Sequence, residues 1–169
     1  MNTKRKRLLT WILVAVLAIS AIALVACVDK PTAQEVTELI LPTLAENQMA
    51  IIVKNGDKDY TNVVVTLGLG GVVAKNVEDV LDYLNEQGTL NVNWQESAYG
   101  KFIVGIGKAQ ANASGEFVSV FTSIENDWGS WAGIASYSVG NVKLVASGVG
   151  VSEMSVAPGA VIYFEIDTY

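Results

Sequence analysis

The chain contains no histidine and only one cysteine, Cys27, and these two absences exclude whole classes of chemistry. A Ser–His–Asp triad, a Cys–His pair, a zinc site built on His or Cys and a haem held by either residue cannot be assembled from it. A pair of carboxylates could still act as acid and base, but no activated nucleophile can be named. We therefore predict a protein that is not an enzyme, with no catalytic residues, no metal site and no cofactor.

Arginine is nearly absent as well. The only two, Arg5 and Arg7, belong with Lys4 and Lys6 to a basic cluster near the N-terminus. The chain has 11 basic and 17 acidic residues; without its first 26 residues, seven basic residues remain against 17 acidic ones, a net charge of −10. An acidic surface without arginine argues against nucleic acid and against anionic lipid headgroups as partners.

An uncharged run of 19 residues, Leu8–Ala26, follows the basic cluster and ends directly at Cys27. A basic head, an apolar middle and small residues at the end are typical of a secretory signal. The same run is long enough to span a membrane as an uncleaved helix whose basic end stays inside. Both interpretations place the rest of the chain on the outer side of a membrane.

The four residues Leu24-Val25-Ala26-Cys27 resemble the lipobox of bacterial lipoproteins. The resemblance implies that the sulfur of Cys27 receives a diacylglyceryl group and that the peptide is cut before this residue. It also implies a location at the cell membrane, lipid-anchored on the extracytoplasmic face, so that the membrane is a partner through the anchor. The predicted organisation is a signal peptide (1–26), a lipidated tether (27–48) and one domain (49–169).

The tether carries the spacing of a short helix. Thr32 and Glu35 are placed as in a capping box, and Pro42 would stop the helix. A short apolar stripe needs something to cover it, so we expect it to dock on the domain. The residues of this stripe are Val36, Leu39 and Ile40.

From Met49 onward, β-branched residues at period two predict strands, and Asn55-Gly56 predicts a hairpin turn between the first two. One helix is predicted between its cap Asn76 and Gly88. These elements predict an α+β fold that is β-grasp-like, a mostly antiparallel sheet with one packed helix. The predicted strands are Ala50–Lys54, Tyr60–Leu67, Asn91–Trp94, Gly100–Ile106, Phe117–Thr122, Ala132–Val139, Lys143–Ala146 and Val161–Ile166.

Three motifs follow one another in this domain: Val80-Leu81-Asp82-Tyr83-Leu84, Tyr99-Gly100-Lys101-Phe102-Ile103-Val104-Gly105-Ile106 and Pro158-Gly159-Ala160-Val161-Ile162-Tyr163-Phe164. Their order and spacing resemble the transcobalamin-like C-terminal domain of bacterial surface proteins. The resemblance implies a β-grasp-related sheet that cups a helix. It also implies one half of a clamp over a corrinoid, so cobalamin is expected as a ligand and not as a cofactor.

An aromatic loop is the segment most suited to touch a partner. Trp128 and Trp131 offer flat apolar faces and N–H donors beside the carboxylate of Asp127. We predict a ligand site formed by Trp128, Trp131, Tyr137 and Asp127. An alternative is that one indole plugs the end of the sheet and only the other is free. Apart from ligand binding, Glu125 and Asp127 are expected to be solvated surface acids.

The predicted function is therefore that of a surface-anchored lipoprotein that captures a small molecule for uptake. The ligand would be corrinoid-like or another planar or amphipathic compound, and a transporter would receive it. The alternative is a protein-interaction or adhesion module that presents the aromatic loop, or an open sheet edge, to another surface protein.

Overall fold

The computed structural model describes residues 34–35, 39–97 and 100–169 of the chain. The predicted signal, Cys27 and the predicted helix cap at Thr32 lie outside the described residues. The elements are β1 (Gln34–Glu35), β2 (Gln48–Lys54), β3 (Tyr60–Thr66), α1 (Val77–Glu86), β4 (Val92–Ser97), β5 (Gly100–Ile106), β6 (Ala109–Gln110), β7 (Glu116–Thr122), β8 (Ser136–Val139), β9 (Val142–Ala146) and β10 (Val161–Thr168).

The strands form two sheets. The larger sheet has the order β1-β8-β9-β7-β10-β2-β3, and the smaller one has the order β4-β5-β6. β1 runs parallel to β8 and β10 runs parallel to β2, whereas the other neighbours are antiparallel. Within the described residues, these sheets and one α-helix make an α+β fold with mostly antiparallel sheets, which confirms the predicted class.

The helix begins where the sequence predicts. Oδ1 of Asn76 accepts a hydrogen bond from the N–H of Asp79 at 2.9 Å, and the Asp79 carboxylate accepts one from the N–H of Lys75 at 2.7 Å. The first bond satisfies an N–H group that the first turn leaves without a partner inside the helix, and the second holds the residue that precedes the cap. The apolar face of α1 is buried against the larger sheet and consists of Val77, Val80, Leu81 and Leu84.

The larger sheet buries apolar residues on both faces, and β10 shows this most clearly. Ile162 and Phe164 belong to a core shared with α1 and the smaller sheet. Val161 and Tyr163 belong to a second core on the opposite face. A strand without a polar face is typical of a sheet that is covered on both sides.

The cover of the second core comes from the segment that precedes β2. Leu39 is 5% exposed and packs in this core, whereas its neighbour Ile40 is 80% exposed. Leu41 and Leu44 pack against the same core. Docking of the stripe Val36, Leu39 and Ile40 on the domain was predicted; it is confirmed for Leu39 and wrong for Ile40, while Val36 lies outside the described residues.

The predicted helix in this segment is wrong. The described part of it, Gln34–Glu35, is a strand that pairs with β8, and residues 39–45 have no regular structure. Apolar residues two positions apart, Leu39 and Leu41, both face the core, as extended backbone allows and a helix does not. The free edge of β8 supplies hydrogen-bonding groups that favour extended chain over a helix this short.

Lys101 connects the smaller sheet to the helix. Its Nζ donates to Oε1 of Glu78 and to Oδ2 of Asp82, both at 3.1 Å, and it lies 4.1 Å from the centre of the Trp94 ring. Burial alone would lower the pKa of Lys101, but the hydrogen bonds to Asp82 and Glu78 and the charges of these carboxylates together outweigh burial and raise it. The side chain of Trp94 is partly buried and packs against the first core.

The described part of the chain has no helix whose length and apolarity would let it cross a membrane.

Truncating Leu39 tests the docked segment. We expect Leu39→Ala to lower the free energy of unfolding by about 2–5 kcal/mol, because a buried leucine loses its contacts and leaves a cavity. The matched control is Ile40→Ala, which removes an exposed side chain from the next position and should change stability by less than about 0.5 kcal/mol. Denaturant unfolding measures the free energy of unfolding of both variants and of the wild type. Equal effects would show that the segment does not cover the sheet.

Candidate functional site

The aromatic loop, residues 125–135, is fastened to the chain that leaves β9. The N–H of Gly129 donates to the carbonyl of Ala146 at 3.0 Å, and the N–H of Gly148 donates to the carbonyl of Asp127 at 2.8 Å. A Cβ at Gly148 would come within 2.9 Å of Cα of Gly129, so the two segments approach as closely as glycine allows. The loop is therefore held by its main chain.

Asp127 holds the base of the aromatic loop from inside. Its side chain accepts hydrogen bonds from the N–H of Ser155 at 2.8 Å and from the hydroxyl of Ser155 at 3.1 Å. The residue is only 6% exposed, so the prediction of a solvated surface acid is wrong here, whereas Glu125 is exposed. The carboxylate is buried because it binds the N–H of Ser155, which lies 28 residues further along the chain. A contact between residues so far apart cannot be predicted from local sequence.

Trp128 is also held in place. Its Nε1 donates to the carbonyl of Thr122 at 2.9 Å, and Nζ of Lys143 lies 4.9 Å from the centre of its ring. The hydrogen bond satisfies the only polar group of the indole at the end of β7. The structure thus follows the alternative in which one indole closes the end of the sheet.

Trp131 is the indole that remains accessible. The residue is 53% exposed, and the Cζ3 and Cη2 atoms of its ring lie so close to Gly129 that any Cβ there would overlap them. The predicted strand Ala132–Val139 begins only at Ser136, because the chain turns at Gly133 with a φ of +77°. This turn keeps Trp131 on the loop and outside the sheet.

A cleft of about 460 Å³ lies between the aromatic loop and β7. We call it the Trp131 cleft. Asp167 is the only ionisable side chain among its described lining residues. The lining residues are Phe117, Val118, Ser119, Val120, Phe121, Trp131, Gly133, Ala135, Ala146, Ser147, Val149 and Asp167.

One edge of β7 is open in this cleft. β7 pairs with β10 along its whole length, but it pairs with β9 only at Phe121 and Thr122. At the two ends of this pairing, the N–H of Ser123 donates to the carbonyl of Val161, and the N–H of Tyr169 donates to the carbonyl of Gly115. Since every second residue of an antiparallel strand bonds to the same neighbour, the odd-numbered residues of β7 bond to β10. The main-chain groups of Val118 therefore point away from β10, where no strand of the described chain pairs with them.

A second hollow lies along the same edge. This β5–β7 groove measures about 320 Å³ and shares Phe117, Val118 and Val120 with the Trp131 cleft. Its other lining residues are Lys101, Phe102, Ile103, Val104, Ala111, Glu116, Gly150 and Val151. The open edge of β7 thus has an apolar hollow on each side.

Tyr137 belongs to a different cluster, which we call the Glu165 network. Its hydroxyl donates to Oε1 of Glu165 at 2.5 Å, while the hydroxyl of Tyr163 donates to Oε2 at 3.0 Å. Nζ of Lys54 lies 3.3 Å from the same Oε2. Tyr137 approaches the cleft only through the ring of Phe121, whose centre is 4.9 Å from its own.

The Glu165 network changes the acidity of both tyrosines. Burial raises the pKa of Tyr137, and the hydrogen bond to Glu165 raises it further. Burial and the charge of Glu165 raise the pKa of Tyr163 in the same way. Loss of either proton would leave a phenolate against a buried carboxylate, so both hydroxyls stay donors at neutral pH.

The structure thus separates the four predicted site residues. Trp131 lines the cleft, Trp128 and Asp127 fasten the loop that carries it, and Tyr137 lies in the Glu165 network. Sequence reasoning missed Val118 and Asp167. The edge of β7 is open at Val118 because β9, which is distant in sequence, pairs with β7 at only two residues. No local sequence signal could therefore have indicated Val118.

No protein-family model matches the chain, and no curated protein matches it. Among solved structures it is similar to a protein from Ruminococcus gnavus that is provisionally described as metal binding. The two are 16% identical, the match covers 73% of this chain and 99% of that chain, and the TM-score is 0.48. Similarity at this level carries no argument about function. Within the described residues, no group of three or more His, Cys, Asp or Glu is placed to hold a metal ion.

The Glu165 network predicts a loss of stability at alkaline pH. Because the folded-state pKa of Tyr163 lies above its unfolded value of about 10, its contribution is fully present below that pH and is lost as pH rises further. We expect Tyr163→Phe to flatten the alkaline fall in unfolding free energy by up to about 1.4 kcal/mol per pH unit. The variant should also be less stable at neutral pH by about 1–3 kcal/mol, because Glu165 loses a donor.

Denaturant unfolding at a series of pH values measures this slope. The matched control is Tyr169→Phe, at a residue that is 93% exposed, and it should keep the wild-type slope. An identical slope in Tyr163→Phe and the wild type would contradict the proposed linkage.

Proposed function

We propose that this protein is a non-catalytic binding module, anchored by lipid at Cys27 on the extracytoplasmic face of a membrane, and that the Trp131 cleft holds its ligand. One observation carries the proposal: the Trp131 indole is 53% exposed beside a cleft of about 460 Å³. Ligand pockets commonly measure roughly 300–1,000 Å³ and are mainly apolar with a few polar groups. Asp167 and the open main chain of β7 supply such groups.

The rigidity of the aromatic loop supports this proposal. An exposed indole that is already fixed against Gly129 loses little freedom when a ligand covers it. Tryptophan is also among the residues that contribute most to binding interfaces. Trp131 is in contact with Gly129 through one edge of its ring while about half of the residue stays accessible, and this arrangement serves binding and adds little to the core.

A planar or amphipathic small molecule is the first candidate ligand. The helix packed on one face of the larger sheet supports a β-grasp-like, transcobalamin-like domain, and such a domain would present a corrinoid or a similar compound to a transporter. In this interpretation the ligand stacks on Trp131, and Asp167 accepts a hydrogen bond from it.

A segment of another protein is the second candidate ligand. The open edge of β7 favours it, because unpaired main-chain groups in a cleft are complementary to another polypeptide. The protein would then act as an interaction or adhesion module on the cell surface.

The lipid anchor can be tested separately. We expect Cys27→Ala to abolish incorporation of labelled palmitate and to leave an unprocessed precursor, because the thioether sulfur is lost. Two acyl chains at about 0.8 kcal/mol per buried methylene hold a protein firmly, so the variant should also leave the membrane fraction unless the precursor stays as a helix. The control Trp131→Ala should be labelled normally. Labelling of Cys27→Ala, or a native protein with no acyl mass, would contradict the anchor.

Calorimetric titration of the full chain in detergent tests the cleft. The probes are cobalamin and a panel of planar amphipathic compounds. We expect Trp131→Ala to weaken binding at least about tenfold, since the loss of a buried aromatic contact is worth roughly 1.5–3 kcal/mol. The control is Leu69→Ala, which removes a fully exposed apolar side chain from another loop. Unchanged affinity in Trp131→Ala would place the ligand outside the cleft.

A further inference from the structure

We infer that the ligand of the Trp131 cleft is an extended segment of another polypeptide, which adds as a strand to the open edge of β7. This inference rests on the proposed binding function and specifies the class of its ligand. Four features of the structure support it: the hydrogen-bonding groups of β7, the two hollows beside them, the composition of β7 and the walls of the cleft.

The main chain of β7 provides the first argument. The N–H and C=O of Val118 face away from β10, while the next carbonyl on that edge, at Val120, already accepts from the N–H of Ser147 at 2.9 Å. An added antiparallel strand opposite Val118 would form two reciprocal hydrogen bonds with it. The open stretch runs from the carbonyl of Glu116, whose N–H is bonded to Ala113, to the N–H of Val120, about 14 Å at roughly 3.4 Å per residue.

The two hollows provide the second argument. Side chains of a strand alternate between the two faces of a sheet. An added strand would therefore direct alternate side chains into the β5–β7 groove and into the Trp131 cleft, both of which border Val118. Recognition by strand addition has two elements: main-chain hydrogen bonds provide affinity, and pockets for alternate side chains provide specificity.

The composition of β7 provides the third argument. Natural edge strands are usually protected by lysine, proline, a bulge or an inward-pointing charge. From Phe117 to Val120 the edge carries none of these, and its only charged residue, Glu116, stands at the start of the strand. The carboxylate of Glu116 accepts from the N–H groups of Asn112 and Ala113, so it is used within its own turn.

The walls of the cleft decide which polypeptide can reach this edge. The open edge lies between the aromatic loop, residues 147–149 and β5. In a second copy of the chain the same edge is recessed between the same walls, so two such edges cannot approach each other. A single extended segment can enter. Because Asp167 lines the cleft, we expect the segment to carry a lysine or arginine beside its apolar residues.

The probes for the experiment are heptapeptides from a random displayed library, selected against the full chain in detergent. We expect enriched peptides to be apolar at alternate positions with one basic residue. One enriched peptide is then N-methylated at each position in turn, and its affinity is measured by fluorescence polarisation. Methylation at alternate positions should weaken binding at least about tenfold, because only every second N–H of an added strand faces β7. Methylation at the intervening positions should be tolerated.

Two variants at one position provide the matched comparison in the protein. Val118→Pro removes the N–H that the added strand needs, at an edge where proline is tolerated. Val118→Ala keeps this N–H and removes only side-chain contacts. We expect the proline variant to bind the selected peptide at least about tenfold more weakly than the alanine variant. If Val118→Pro does not fold, the methylation pattern still decides.

The outcomes separate this inference from the proposed function. A peptide that depends on Trp131 but shows no alternation on methylation would overturn strand addition and leave the cleft as the site. Binding of cobalamin with the same dependence on Trp131, without any enriched peptide, would do the same. A peptide insensitive to both Trp131→Ala and Val118→Pro would overturn both proposals.

Discussion

The burial of β10 on both of its faces is the constraint on which the rest of the structure depends. Five consecutive residues, Val161–Glu165, are buried, so both faces of the larger sheet must be covered. The helix and the smaller sheet cover one face, and the segment around Leu39 covers the other. The only acid in this run, Glu165, is stabilised by two tyrosine hydroxyls and Lys54, because a buried carboxylate without partners would be strongly destabilising.

The open edge of β7 follows from the path of the aromatic loop. β9 pairs with β7 for two residues and Ser147 adds one bond to Val120; the end of β9 and Gly148 also bind the loop, at Gly129 and Asp127, and no residue of the described chain continues the pairing along β7. The main-chain groups of β7 that β9 does not pair with are those around Val118. The same course of the chain after β9 therefore fixes the aromatic loop and leaves this edge of β7 unpaired, and this explains why Trp131 and the unpaired groups line the same cleft.

Local patterns predicted local structure well. The cap at Asn76, the apolar face of α1, the strands on both sides of Asn55-Gly56 and the strand Gly100–Ile106 all depend on neighbours within a few residues, and all are present. The parallel pairing of β2 with β10 and the capture of Asp127 by Ser155 were not predicted. Both join parts of the chain far apart in sequence, where residue spacing carries no information.

The difference between the two tryptophans shows what turns an aromatic pair into a binding site. Trp128 and Trp131 stand three residues apart in the same loop, yet the N–H of Trp128 donates to the carbonyl of Thr122 whereas Trp131 stays 53% exposed. If both indoles were buried, the loop would only close the end of the sheet. If neither were held in place, the loop would lose conformational entropy when a ligand ordered it, and this loss would weaken binding. The hydrogen bond of Trp128 adds to the main-chain bonds and the Asp127 contacts that order the loop, so Trp131 can stay accessible on a loop that is already fixed.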